Sequence, residues 1–65
     1  MAEEREVIFE FLTVGTSVKV TAVDAETGIE VSIVGDRATP ESMLKRVAKQ
    51  KLEYVMAKQA NEDKA

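Results

Sequence analysis

The residues best suited to chemistry in this chain are Ser42 and Lys45, in the run SMLK. An S-x-x-K spacing puts a Lys amine one helical turn beyond a Ser hydroxyl, the arrangement by which penicillin-recognising acyl enzymes activate a serine. Those enzymes also need S-D-N and K-T-G elements around a deep cleft. Neither motif occurs here, and 65 residues are too few to enclose such a cleft. At the start of a helix both side chains are expected to be solvated. With no His and no Cys, the chain lacks the usual general base and the thiol nucleophile, and the common transition-metal sites are out of reach. Carboxylates are plentiful, but Glu3, Glu4 and Glu6 lie in the amino-terminal segment and others lie on loops. Nothing there would hold two of them at the fixed separation that glycoside hydrolysis requires. Asp24 and Glu26 carry the donor type for a cation, yet on a hairpin tip they are expected to be solvated turn residues. VGTS and IVGDR are single-glycine turns, not phosphate loops. The expected set of catalytic, cofactor-binding and metal-binding residues is empty, and the chain is expected not to be an enzyme.

The elements that would position any site come in a clear order. After a frayed stretch at 1–4, an apolar strand is expected over about 5–13. In VIFEFLTVG, Val7, Phe9 and Phe11 share one face, while Ile8, Leu12 and Val14 share the other, interrupted by Glu10. A second strand over 17–24 sets Val18, Val20 and Ala22 against Lys19, Thr21 and Val23. A third, over about 28–34, sets Ile29, Val31 and Ile33 against Glu30, Ser32 and Val34. β-Branched residues dominate the second strand, as a pleated surface favours. Gly15 can supply the positive φ of a tight reversal. In DAETG, Asp24 can accept backbone N–H bonds and Gly28 can close a bulged hairpin from the left-handed region. The result is an antiparallel meander.

After GDRATP the hydrophobic period changes from two to 3.6. Thr39 is a suitable N-cap, Pro40 suits the first helical position, and Glu41 favours the positive end of the helix dipole. A helix over about 40–59 is predicted, with 60–65 fraying. Around its axis Leu44, Ala48, Leu52 and Val55 form one apolar stripe bordered by Met56; Met43, Val47 and Tyr54 form a second, set apart by Lys51 and Lys58. That arc is wider than one sheet can cover, so the second stripe is expected against another subunit.

Composition bounds the rest. A single domain of 65 residues sits near the lower limit at which one core offsets chain entropy, and without Cys or His neither disulfides nor a structural zinc can assist it. Oligomerisation can. A charged fraction of 32% and an apolar fraction of 45% describe a chain that folds. No secretory signal pattern and no run of roughly 20 apolar residues is present, which points to the cytoplasm. Net charge is −3, with the acidic excess in residues 1–39 and a basic excess in 40–59.

The order of three strands and a long helix, with GIEVSIVGDRATPESMLKRVAKQKLEYVM running strand, loop, helix, resembles the second half of a double-stranded-RNA-binding domain. That resemblance implies phosphate contacts from the last helix, and Lys45, Arg46, Lys49 and Arg37 are the residues placed to make them. The chain departs from the pattern at the helix start, where Pro40, Glu41, Ser42, Met43 and Leu44 offer no cation, and before the first strand, where MAEE is too short for the missing helix. A broader resemblance rests on Phe9-Glu10-Phe11, Val18 to Val20, Ala25 to Val31 with its TG hairpin, and Lys51-Leu52. In these the chain is similar to a family of short, uncharacterised bacterial proteins, a domain of unknown function. The resemblance implies a compact unit of three strands and one helix, and no activity.

The expected fold is therefore α+β: a three-stranded antiparallel meander followed by one long carboxy-terminal helix, completed as a homodimer. The expected function is a non-catalytic interaction or structural module whose partner is a second copy of itself. Ile8, Leu12, Val14, Met43, Val47 and Tyr54 are the candidate interface. Subunits would join by edge pairing, by helix packing, or by exchange of an element through links at Gly15 or Gly35. Nucleic-acid binding through the basic helix face is the alternative, and no membrane partner is expected.

Overall fold

A computed structural model describes residues 6–64, with side chains described for 6–60. The elements are β1 (Val7–Val14), β2 (Ser17–Asp24), β3 (Glu30–Asp36) and α1 (Glu41–Lys64). The strands form one antiparallel sheet in the order β1-β2-β3, and α1 covers one face of it. This is the expected meander followed by one helix.

The turns work as their residues dictate. Gly15, at φ +63°, occupies the first central position of the two-residue β1–β2 turn, which is the glycine position of a type II′ hairpin. At the β2–β3 turn the Asp24 carboxylate accepts the backbone N–H of Thr27 at 2.9 Å and the Thr27 hydroxyl at 2.8 Å. The Gly28 amide donates to the Asp24 carbonyl at 2.8 Å, and Gly28 takes φ +79°. The expectation of a solvated Asp24 is corrected here. Its side chain is fully buried, because the turn folds Thr27 back over the carboxylate. With Gly28 held in the turn, β3 begins at Glu30 and reaches Asp36, two residues later at each end than expected. Gly35 is thus a strand residue paired with Val18, not a link through which an element could be exchanged.

From β3 the chain turns through Asp36 to Thr39. The Asp36 carboxylate accepts the Ala38 amide at 2.7 Å, and the Thr39 amide donates to the Asp36 carbonyl at 2.9 Å. The first helical bonds run from the Met43 and Leu44 amides to the Pro40 carbonyl, so the cap lies at Pro40, one residue beyond the expected Thr39. At the other end α1 continues to Lys64 instead of fraying from Ala60, since neither Gly nor Pro follows Pro40 to stop it. The expectations for 1–4 and for the strand start at Arg5 lie outside the described residues.

The core is small. Val18, Val20 and Ala22 of β2, Val31 of β3, and Leu44, Ala48 and Leu52 of α1 are its buried members. Phe9, Phe11, Val7, Ile33, Val55 and Met56 pack around them half-covered. The helix stripe follows i, i+4, i+8 spacing, which keeps three side chains in line over the sheet. At one end Leu44 lies over Gly35, where a methyl group would stand 2.5 Å from a Leu44 methyl carbon.

Candidate functional site

Antiparallel register assigns every strand residue to a face. On the face turned away from α1, Ile8, Glu10, Leu12 and Val14 align with Val23, Thr21, Lys19 and Ser17 of β2. These align in turn with Glu30, Ser32, Val34 and Asp36 of β3. The face is uncovered: Leu12 is 60% exposed, Val14 65% and Val34 71%, and Ile8 is exposed beside them. Its apolar weight lies along β1. A polar row of Glu10, Thr21 and Ser32 crosses it, with the Thr21 and Ser32 hydroxyls 3.3 Å apart.

The two edges of the sheet differ. The Ala25 amide donates to the Glu6 carbonyl at 3.0 Å. Because an antiparallel ladder alternates, the backbone groups of Ile8, Glu10, Leu12 and Val14 then point into the sheet, and those of Val7, Phe9, Phe11 and Thr13 point outward. No described residue bonds to that outward row. On β3 the same alternation turns the Ser32 carbonyl outward, and the Lys51 amine reaches it at 2.9 Å. The β3 edge carries a cation from the helix, a common protection of an exposed edge. The β1 edge carries none of this kind.

The helix sits over β2 and β3 rather than centrally. Lys45, on the opposite flank from Lys51, extends over the Phe9 ring at 5.7 Å from its centre. Met43, Val47 and Tyr54 are exposed on the Lys51 flank, beyond the β3 side. The six expected interface residues therefore form two separate surfaces. Ile8, Leu12 and Val14 lie on the open face at β1, whereas Met43, Val47 and Tyr54 lie on the helix layer at the far side. Val34 belongs to the open face and was not among them. The signal was present, since Val34 shares its alternation with Glu30 and Ser32.

Of the basic residues, Lys45, Arg46 and Lys49 lie within about one turn of each other on one exposed side of α1, and Arg37 lies apart from them. Arg37 sits at the end of the sheet, its guanidinium 3.5 Å from the Gly15 carbonyl. Lys45 covers Phe9. Lys49 follows Lys45 by one helical turn, and Arg46 is exposed beside them. Ser42 and Lys45 are both exposed.

Among the described residues the surface carries two depressions of similar size. One of about 480 Å³ is lined by Glu10, Phe11, Leu12, Lys19 and Thr21. The other, of about 500 Å³, lies between the β2–β3 turn and α1, with Thr27, Ile29, Glu53 and Met56 in its wall. Among the described residues no group of three or more carboxylates could hold a metal ion, and no helix is long and apolar enough to cross a membrane.

Fold and surface together define a two-layer module of three strands and one helix, covered on one side of its sheet and open on the other. The chain belongs to the family of a domain of unknown function, DUF6898, whose model matches residues 4–59. No curated protein and no solved structure shows a significant match.

Proposed function

We propose that this protein is a small non-catalytic interaction module that works as a homodimer, with β1 at the centre of the contact. The observation that carries it is the open sheet face, where Ile8, Leu12, Val14 and Val34 stay exposed although only seven apolar side chains are buried among the described residues. Leaving such side chains in water forgoes roughly 25 cal/mol for each Å² of apolar surface, a large loss for a chain of this size. A second copy lying against β1 brings another apolar strand beside Ile8, Leu12 and Val14. A nucleic-acid role would rest on the short basic patch of Lys45, Arg46 and Lys49, with Arg37 apart from it, in a chain of net charge −3 that gains little from counterion release.

Sedimentation equilibrium tests the proposal. The expected mass is twice the 7.2 kDa of the chain, with a melting temperature that falls on dilution, since about 1.4 kcal/mol of association energy is lost per tenfold decrease in concentration. A single-chain mass at roughly tens of micromolar, a range in which most specific dimers persist, together with an unchanged melting temperature, would overturn it.

A further inference from the structure

The geometry points to a definite mode of assembly: two chains pair antiparallel through their β1 edges, with the two-fold axis beside Phe11, to make one six-stranded sheet. This inference rests on the homodimer proposed above and specifies its contact.

Three observations favour the β1 edge. It presents the outward backbone groups of Val7, Phe9, Phe11 and Thr13, to which no described residue bonds, whereas the β3 edge holds the Lys51 amine on Ser32. The helix packs over β2 and β3, so Phe9 and Phe11 remain only half-covered on the helix side. A partner strand alongside β1 extends the core there. Packing the two open faces against each other would instead enclose Glu10, Lys19, Glu30 and Asp36, which lie among the apolar residues of that face. Burying charges without matched partners is costly, and edge pairing leaves all four in water.

Charge also selects the register. Outward residues must face outward residues, which limits the possible centres. A centre at Glu10 would set Glu10 directly opposite Glu10 of the partner subunit, a destabilising like-charge pair. A centre at Phe9 would push the pairing past Val7, beyond the strand. A centre at Phe11 sets Phe11 against Phe11 of the partner subunit, Phe9 against Thr13 of the partner subunit, and Ile8 against Val14 of the partner subunit. Glu10 then meets Leu12 of the partner subunit at the solvent-facing side. The whole of residues 8–14 pairs, with about six backbone hydrogen bonds across the axis. Both helices lie on the same side of the enlarged sheet, and the apolar side chains of both copies of β1 meet on the other.

The experiment separates the mode from the existence of the dimer. Thr13→Pro removes an outward N–H and leaves the ladder to β2 untouched, as proline on an edge strand permits. Leu12→Glu alters the open face and keeps the edge. Because the chain has no cysteine, Phe11→Cys gives a single thiol beside the axis, within reach of its symmetry mate after small backbone adjustment. The expected results are a wild-type dimer, Thr13→Pro folded by circular dichroism with dimerisation weakened about tenfold or more, Leu12→Glu still dimeric, and Phe11→Cys rapidly cross-linked on mild oxidation. If Leu12→Glu is monomeric while Thr13→Pro stays dimeric, or if Phe11→Cys fails to cross-link, edge pairing is wrong although the homodimer stands. When Thr13→Pro does not fold, or both variants dissociate, the Phe11→Cys cross-link decides alone. A monomeric wild type removes both proposals.

Discussion

Leu52→Ala is the sharpest test of how the helix holds the sheet. Leu52 is 1% exposed and is the largest of the fully buried side chains. It completes the line of Leu44, Ala48 and Leu52 that packs α1 on β2 and β3. Shortening it removes three heavy atoms and leaves a cavity, and such changes cost about 2–5 kcal/mol depending on how far the surroundings collapse. Collapse is restricted here. The opposing surface is a hydrogen-bonded sheet whose buried side chains are already small valines and an alanine, so the expected cost lies near 3–4 kcal/mol. A chain of this length has about 3–10 kcal/mol of total stability at the usual 0.05–0.15 kcal/mol per residue. The variant should therefore lose a third or more of its folding free energy, an effect large enough to populate unfolded chains in buffer. Urea titration followed by helix circular dichroism at fixed protein concentration measures it. Tyr54→Ala, at 67% exposure, serves as the comparison and should change stability by less than about 0.5 kcal/mol. A Leu52→Ala loss under about 1 kcal/mol with an unchanged denaturant slope would refute the packing of α1 on the sheet described above.

Three further outcomes follow from single contacts. Gly28→Ala should cost about 1–2 kcal/mol in the same titration, because φ is +79° while nothing lies within 4 Å of the added methyl, so the penalty is backbone strain alone. Lys51→Met should change stability by less than about 1 kcal/mol but raise the rate of aggregation in light scattering, since it uncovers the Ser32 carbonyl on the β3 edge. Lys45→Gln should lose roughly 0.5–1 kcal/mol through the contact over Phe9, and a stability equal to wild type would show that the contact contributes nothing.

Most of the fold was legible because its signals are local. Alternation separated Val18, Val20 and Ala22 from Lys19 and Thr21, and the register places the first set under the helix. Asp24 with Gly28, and Gly15 alone, specified the two turns through backbone conformations that few other residues adopt. Boundaries were less legible. Thr39 looked like the cap because its hydroxyl suits the role, but the turn started by Asp36 carries the chain one residue further before the Pro40 carbonyl takes the first helical bonds. The burial of Asp24 was hidden for a similar reason: whether a turn carboxylate is solvated depends on the fold-back of Thr27, which composition does not reveal.

The candidate surface divides along the same line. The sequence by itself determined that β1 is apolar on both faces and that α1 carries two apolar stripes, because the periods of two and 3.6 residues fix which side chains share a face. Only the tertiary structure decided where those faces lie. Leu44, Ala48 and Leu52 turn one stripe onto β2 and β3, and this sets Met43, Val47 and Tyr54 on the far flank of the helix, away from Ile8, Leu12 and Val14. The same offset puts the Lys51 amine on one sheet edge and leaves β1 at the other. A period places a residue on a face of its own element, whereas the position of that face in the molecule depends on how elements distant in sequence pack together.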